Sequence, residues 1–253
     1  MGFKYINQIA DSNNIQKFLE LVDLAAGSGK DVNNAFDLSE KLHNSNPMKV
    51  CLQAIQKEPS CLEMLKERYV GPLYDLDAML KMPKGSLGWT YAKVLSTLGY
   101  DPQFYRIPEK FETDAEYITF RVYKTHDIHH ILTGYSLDDF GELGVISVTV
   151  AQIGYPGFIF LDLISFLLHF FKNDKIYNEQ MNPQEQAKTL SYAFDLVSSG
   201  LKMGETAKPL FPIKWEENFE RPLDEWREML GIQPVKTGLY NWYTRPEIQA
   251  AIA

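Results

Sequence analysis

This chain has few cysteines and no long basic run, and each of these features argues against a class of protein. The 253 residues include two cysteines, Cys51 and Cys61, which form no C-x-x-C pair and lie beside no histidine cluster. We expect both to be reduced core thiols of a cytosolic protein. The formal net charge is -8 and no long basic run is present, which argues against a nucleic-acid partner because phosphates would be repelled.

The N-terminal residues also lack the features of a targeting segment. Residues 1–22 have neither the apolar run of a secretory signal nor the arginines of a mitochondrial transit peptide. Ile6 stands where a myristoylation motif requires Ser or Thr. We therefore expect a cytoplasmic protein.

Strand-like alternation is missing too, whereas apolar residues recur at helical spacing in almost every segment. The best strand candidate, Y-I-T-F-R-V-Y at 117–123, runs into the following segment without a break. Gly and Pro punctuation divides the chain into about ten helices, and its length favours one domain over 1–253. The sequence thus predicts an all-α, single-domain bundle, with a loosely held tail after Pro234.

The segment 145–171 is apolar enough to raise the question of a membrane span, for which ~20 apolar residues suffice. Gln152, Asp162, His169 and the Pro156-Gly157 break argue against a span. We expect instead one buried helix or a pair of helices. Its second half carries a polar stripe, which we expect to face solvent. The stripe consists of Asp162, Ser165, His169 and Lys172.

Three of the five histidines lie in the stretch from Lys124 to Gly144. His126 and His130 are four apart, so on a helix they project from one face, which Asp127 flanks. A helix over 114–132, capped by Asp114, would present them in this way. Solvent-exposed histidines would produce the same spacing, so the pair alone does not decide between a surface and a ligand site.

Glu142 makes a metal site the more specific interpretation. In one continuous helix it would lie ~18 Å from His130 along the axis, far beyond the reach of a shared ion. Gly134 can end the first helix, and Ser136 or Asp138 can cap a second helix that returns antiparallel. The candidate ligands are His126, Asp127, His130 and Glu142. Such a mixed nitrogen and oxygen set suits zinc, iron, manganese or cobalt better than it suits calcium. Zinc is the first candidate, and magnesium is a further possible ion. His129 is expected at the surface or as a supporting residue.

The sequence H-D-I-H-H-I-L-T-G-Y-S-L-D-D-F-G-E resembles the H-D-x-x-H…E signature of coenzyme Q biosynthesis protein four, the Coq-four family of ubiquinone-pathway proteins. Two further blocks are similar to that family, M-P-K-G-S-L-G-W-T-Y-A-K-V-L at 82–95 and P-L-F-P-I-K-W-E-E-N-F-E-R-P-L-D-E-W-R-E-M-L-G-I at 209–232. Together these blocks cover most of 80–232, and the combination is specific.

The resemblance implies an all-helical, peripheral membrane protein that binds a divalent ion, usually zinc, through the signature residues. It implies an apolar cavity for prenylated quinone precursors, and we expect a homodimer that helps to organise other quinone-biosynthesis enzymes. The apolar residues after Glu142 could cover an isoprenoid tail; they include Phe158, Phe160, Leu161, Ile164, Leu167 and Leu168.

The resemblance also implies an activity, oxidative decarboxylation of the quinone head-group precursor at ring carbon one. A non-catalytic lipid-binding scaffold is the alternative. A metallohydrolase is a third hypothesis, but Asp127 stands where such enzymes carry a catalytic Glu, and its shorter side chain reaches less far.

Overall fold

A computed structural model of the chain describes residues 12–172, 183–186 and 189–253, and every regular element in these ranges is a helix. The α-helices are α1 (Ser12–Gly27), α2 (Asn33–Leu42), α3 (Asn46–Lys57), α4 (Pro59–Glu67), α5 (Leu76–Met79), α6 (Leu87–Leu98), α7 (Asp114–Thr133), α8 (Asp139–Ile153), α9 (Pro156–Lys172), α10 (Pro183–Gln186), α11 (Leu190–Thr206), α12 (Leu223–Leu230) and α13 (Pro246–Ile252). Short 3₁₀ helices lie at Trp215–Glu217 and Trp242–Thr244. The predicted all-α fold is confirmed.

Helix α7 occupies the centre of the bundle. Every residue from Tyr117 to Thr133 is buried, so the helix shows little of the amphipathic pattern of a surface helix. Two of its cations are fully buried as well: Arg121 lies 2.8 Å and Lys124 lies 3.4 Å from the carboxylate of Glu216. This pairing allows two charged side chains to lie in the core, because each buried cation has a carboxylate partner.

The start of α7 differs from the prediction by one residue. Thr113, not Asp114, is the N-cap: its hydroxyl accepts from the Glu116 amide, and the Glu116 carboxylate accepts from the Thr113 amide. This reciprocal capping box satisfies two amide groups that the first turn leaves open. Asp114 is the first helical residue, where its charge favours the N-terminal end of the helix.

Helices α8 and α11 pack closely through glycine. A Cβ atom placed on Gly200 would lie 2.1 Å from the Gly144 carbonyl oxygen, and one on Gly204 would lie 2.5 Å from the Val148 carbonyl oxygen. Since no larger residue fits without moving one of the helices, these glycines set the close approach of the two elements. Helix α8, which carries Glu142, is thereby held against α11 at Gly144 and Val148.

The apolar segment 145–171 belongs to a pair of helices, as predicted. Gly154 adopts a left-handed conformation with φ of +61° and caps α8, and Pro156 begins α9. Both residues suit these positions, since glycine tolerates positive φ and proline favours the first turn of a helix. Within the residues that the structure describes, no helix combines the length and the apolarity needed to cross a membrane.

The expectation that the polar stripe of α9 faces solvent is wrong for Asp162, whereas Ser165 and His169 are half-buried and the Lys172 side chain lies outside the described residues. Asp162 is 6% exposed and lies 3.2 Å from the Ser147 hydroxyl of α8, whereas Leu163 and Phe170 are 54% and 63% exposed. Helical spacing defines two faces but does not say which one a neighbouring helix covers. Here Ser147 of α8 supplies a hydroxyl partner for Asp162, and part of the apolar surface of α9, including Leu163 and Phe170, is left exposed.

The expectation of a loosely held C-terminal tail is also wrong. Trp242 is 1% exposed and Ile248 is 0% exposed, and α13 packs against α6. The Val235 amide donates to the Thr133 carbonyl at the end of α7 over 2.7 Å. The tail is held because it buries apolar side chains and satisfies carbonyl groups that α7 leaves open.

Candidate metal centre

The turn between α7 and α8 brings the predicted ligands together. Gly134 ends α7 with φ of +87°, and a Cβ atom on it would lie 2.4 Å from the Val235 carbonyl oxygen. The Asp138 side chain then caps α8 by accepting from the Gly141 amide at 2.9 Å. The predicted hairpin is confirmed, with Gly134 and Asp138 in the predicted roles.

Three of the four predicted ligands converge. Glu142 places Oε2 at 2.8 Å from His126 Nε2 and Oε1 at 3.1 Å from His130 Nε2. The two Nε2 atoms are 3.2 Å apart. One ligand atom from each of the three residues lies within 4.8 Å of the others. The carboxylate thus faces the imidazole pair across the hairpin.

Hydrogen bonding of the His130 ring prepares its Nε2 atom for a ligand role. His130 Nδ1 lies 3.2 Å from the Tyr135 carbonyl oxygen, which can only accept, so Nδ1 carries the proton. In the neutral ring the lone pair is then on Nε2, directed at the cluster. Such a bond from the outer nitrogen to a carbonyl is a common support for a metal-binding histidine.

The charges of the cluster are strongly coupled. Burial by itself would raise the pKa of Glu142, but the adjoining His126 and His130 reverse this and hold it far below its ordinary value. Burial by itself would lower the pKa of His126, but the charge and hydrogen bond of Glu142 outweigh it and raise that pKa. The site therefore favours an ionised Glu142 carboxylate that faces positive charge. That charge can come from a protonated histidine or from a bound metal ion.

Asp127 lies outside this group of three, although its charge also contributes to raising the pKa of His126. Successive residues of a helix point about 100° apart, so Asp127 leaves the face that His126 and His130 share. Desolvation raises its own pKa. Direct coordination by Asp127 stays a prediction.

His129 is buried, so the expectation of a surface position is wrong. It is 4% exposed, its ring lies 6.2 Å from that of Trp215, and neither ring nitrogen has a hydrogen-bond partner in the described part of the chain. Burial, with His126, His130 and Arg121 nearby, lowers the pKa of His129 to about 3. It is therefore a neutral core residue that packs against Trp215, and a supporting role beside the ligands stays a prediction.

The donor set fits a divalent transition metal. Tetrahedral bonds of ~2.0–2.1 Å would separate donor atoms by roughly 3.3 Å, and the observed separations of 2.8–3.2 Å are close to this value. The site is also reachable: the Glu142 side chain is 39% exposed, whereas those of His126 and His130 are 9% and 0% exposed. Two histidines and one carboxylate leave at least one position for water or substrate.

A cavity of about 520 Å³ lies one helical turn from Glu142, because Asp138 is one of its walls. Its other lining residues are Leu98, Tyr100, Leu137, Asp139, Phe140, Tyr240, Trp242, Arg245 and Ile248. The C-terminal residues of this wall were missed by sequence reasoning, because they stand a hundred positions from the histidines and follow no motif.

Comparison with known proteins agrees with the resemblance of the sequence blocks. The family model for coenzyme Q (ubiquinone) biosynthesis protein Coq4 matches residues 10–236. The ubiquinone biosynthesis protein COQ4, mitochondrial, of Zygosaccharomyces rouxii is 30% identical over 63% of this chain and 44% of its own length. The COQ4 homolog, mitochondrial, of Rattus norvegicus is 28% identical over 74% of this chain and 66% of its own length. The match thus spans 44% to 66% of the length of these two relatives.

A solved structure supports the fold. The crystal structure of a Nostoc punctiforme protein, described provisionally as a ubiquinone biosynthesis protein, superposes with a TM-score of 0.71 at 23% identity, over 87% of this chain and 99% of its own. At that identity the likeness shows the shared fold alone. The family model, by contrast, covers most of the chain and includes all four signature residues, so the chain belongs to the Coq4 family of coenzyme Q (ubiquinone) biosynthesis proteins.

Proposed function

We propose that this protein acts in the synthesis of ubiquinone or another prenylated quinone, by binding a divalent metal and a prenylated head-group precursor. The observation that carries the proposal is the convergence of His126, His130 and Glu142 on one point in a member of the Coq4 family. Zinc is the first candidate from the donor set, with manganese, iron and cobalt as alternatives.

The reaction we propose is oxidative decarboxylation of the aromatic head group. The bond between ring carbon one and the carboxyl group breaks, carbon dioxide leaves, and a hydroxyl takes the vacant ring position. The ring is oxidised by two electrons and dioxygen is the oxidant: water supplies the oxygen of the new hydroxyl, and dioxygen takes up the two electrons and two protons to leave as hydrogen peroxide. A bound divalent metal would supply Lewis-acid or redox chemistry at the carboxylate or phenolate of the ring.

The residues of the chain have separate parts in this proposal. His126, His130 and Glu142 would hold the metal, and Asp127 would add a second negative charge beside it. Phe158 of α9 lies 5.4 Å from the His126 ring, centre to centre, and limits access of water on that side. The more exposed Glu142 leaves an opening through which the head group can reach the metal.

The prenyl tail would lie in an apolar groove on the outer side of the bundle. Its volume is about 440 Å³, within the ~300–1,000 Å³ typical of ligand sites. All its lining residues are apolar: Phe18, Phe160, Leu163, Ile164, Phe166, Leu167, Phe170 and Leu190. The same surface would support peripheral membrane association, since large exposed apolar patches mark lipid or protein contacts.

A non-catalytic scaffold is the second candidate, and the two faces of α9 favour it. Leu163 and Leu167 of the groove are 54% and 46% exposed, whereas Phe158 is 2% exposed and faces the histidines. Lipid held in the groove would therefore lie on the opposite side of α9 from the metal site. In this role the metal orders the α7–α8 hairpin, and the apolar face carries lipid to other quinone-biosynthesis enzymes.

One experiment separates the two candidates. Purified protein is incubated in air with a prenylated aromatic acid labelled at its ring carboxyl, with and without a chelator. We expect labelled carbon dioxide from the wild type only when metal is present. Glu142→Gln should lose both metal content and label release, whereas Glu63→Gln, which changes an exposed helical glutamate in the same way, should keep both.

The alternatives give different results in the same assay. Metal binding without label release would contradict the decarboxylase, and lipid that still co-purifies with such a protein, identified by mass spectrometry, would support the scaffold. Absence of metal from both the wild type and Glu63→Gln after incubation with each candidate ion would contradict the metal site itself.

A further inference from the structure

The last turn of α7 carries His130 and leaves several carbonyl groups without partners inside the helix. Residues that follow α11 in the sequence donate hydrogen bonds to these carbonyl groups. Arg227 donates through Nη2 to the Ile131 carbonyl at 2.7 Å and through Nε to the Leu132 carbonyl at 2.9 Å. The Val235 amide donates to Thr133 at 2.7 Å. The carbonyl groups at the end of α7 therefore accept hydrogen bonds from residues in a distant part of the sequence.

Trp242 contacts the backbone of a ligand residue directly. Its indole N–H donates to the carbonyl of His130 itself at 2.9 Å, and its amide donates to the Gly134 carbonyl at 3.1 Å. The side chain is 1% exposed, so it cannot turn away to water without opening the core. The backbone of one histidine ligand and the glycine that ends α7 are thus both held by one buried residue.

The same stretch of chain also holds the other half of the hairpin. The Ser136 amide donates to the Tyr240 carbonyl at 3.2 Å. Arg245 forms an ion pair with Asp138, the residue whose side chain caps α8. Because Glu142 follows Asp138 by one helical turn, a shift at this cap would move the carboxylate relative to the histidines.

We propose that residues 235–245, the C-terminal clamp, fix the geometry of the metal ligands by binding the end of α7 and the start of α8 at once. Trp242 is the positioning residue on the His130 side, and Arg245 is the positioning residue on the Glu142 side. A metal site needs its ligands within fractions of an ångström, and partners outside the ligand set supply that accuracy. Residues 237–245 lie beyond the part of the chain that the family model matches. The inference rests on the proposed function in that the site takes a metal.

The test uses Co²⁺ as the probe, because its visible absorption reports the number and arrangement of its ligands. The full-length chain and its variants are titrated with Co²⁺, and affinity and spectrum are recorded together. We expect Trp242→Phe, which removes the indole donor, to bind Co²⁺ about tenfold more weakly, in line with other changes of this kind. We also expect its absorption bands to move.

The matched control is Trp226→Phe. Trp226 is also buried, and its indole donates to the Asn218 carbonyl at 3.4 Å, away from the hairpin. Should this variant lose as much stability as Trp242→Phe while its Co²⁺ affinity and spectrum stay those of the wild type, a general structural cause is excluded and the positioning role is supported.

A second variant keeps the test decisive if Trp242→Phe fails to fold. Arg245→Gln removes the ion pairs with Asp138 and Glu247 from a side chain that is 36% exposed. Its control, Arg106→Gln, removes the ion pairs with Asp37 and Glu40 from a side chain that is 41% exposed and belongs to neither hairpin nor clamp. We expect several-fold weaker Co²⁺ binding and a changed spectrum for Arg245→Gln only. Wild-type affinity and spectrum in Arg245→Gln and in folded Trp242→Phe would overturn the clamp and leave the metal site intact. A wild type that binds no Co²⁺ would overturn both.

Discussion

At the scale of single residues, Asp162 shows how a protein can carry an acid in an apolar helix. Burial raises the pKa of its carboxyl to about 8, although the hydrogen bond with Ser147 acts in the opposite direction. Its second oxygen has no hydrogen-bond partner among the described residues. The carboxyl is therefore neutral at pH 7 in the folded protein, which removes most of the cost of burying it.

This raised pKa predicts a pH-dependent stability. Between pH 4 and 8 the unfolded chain releases the Asp162 proton while the folded protein keeps it, so the free energy of unfolding falls as pH rises. Replacement by Asn removes this effect. We expect the stability of Asp162→Asn, relative to wild type, to rise by on the order of 1 kcal/mol per pH unit through that range, and to level off above pH 8.

Urea unfolding at a series of pH values measures this difference. Asp195→Asn on the exposed side of α11 is the control and should follow the wild-type curve. A constant difference between Asp162→Asn and wild type from pH 4 to 8 would show that Asp162 is ionised in the folded protein.

At the scale of elements, the close contact of α8 and α11 predicts an unusual response to alanine. Alanine ordinarily favours a helix over glycine by about 1 kcal/mol. At Gly200 the added methyl would meet the Gly144 carbonyl, so the helices would have to separate. We expect Gly200→Ala to destabilise the protein by about 1–3 kcal/mol.

Chemical denaturation of Gly200→Ala beside Ser198→Ala, an exposed position on the same helix, provides the measurement. Ser198→Ala should unfold within about 0.5 kcal/mol of wild type. Equal or greater stability of Gly200→Ala would mean that the two helices do not approach as closely as described.

The outward face of α9 leads to a prediction about lipid. Leu163 is 54% exposed and lines the apolar groove, so a charged side chain there would oppose contact with a prenyl tail or a membrane at little cost to folding. We expect Leu163→Glu to reduce co-purified prenyl lipid and binding to phospholipid vesicles several-fold. Leu73→Glu, at a position that is 62% exposed and outside the groove, should leave both unchanged.

Mass spectrometry of the carried lipid and vesicle sedimentation supply the two readouts. Wild-type lipid content in folded Leu163→Glu would show that the prenyl tail binds elsewhere. This result would contradict the groove as the proposed binding site of the tail.

At the scale of the whole molecule, the candidate metal centre joins segments that are far apart in sequence. Its ligands come from α7 and α8, and the chain that supports their hairpin comes from the C-terminal clamp. Unfolding separates all three, so a metal that binds only the assembled site stabilises the entire fold by mass action.

Free metal at a hundred times its Kd adds about 2.7 kcal/mol to the free energy of unfolding, which for a domain of this size raises Tm by roughly 5–10 °C. Differential scanning calorimetry with metal and with chelator measures the shift. Glu142→Gln should show little of it, and equal Tm values for wild type under both conditions would contradict a site that forms only on folding.

Local chain signals were enough for the fold class and for much of the candidate site. Gly134 and Asp138 predict the turn because positive φ and side-chain capping are properties of the residue and its immediate neighbours. The four-residue spacing of His126 and His130 predicts a shared face for the same reason. Glu142 could be placed opposite them because only a hairpin brings it within reach.

Tertiary structure alone decided which faces are covered. Spacing marks the polar stripe of α9, but the Ser147 partner that buries Asp162 comes from another helix. His129 is a core residue because Trp215, far along the chain, packs against it. Trp242 reaches His130 from 112 positions away. These contacts depend on packing between distant segments, and no short stretch of sequence encodes the surface that will meet it.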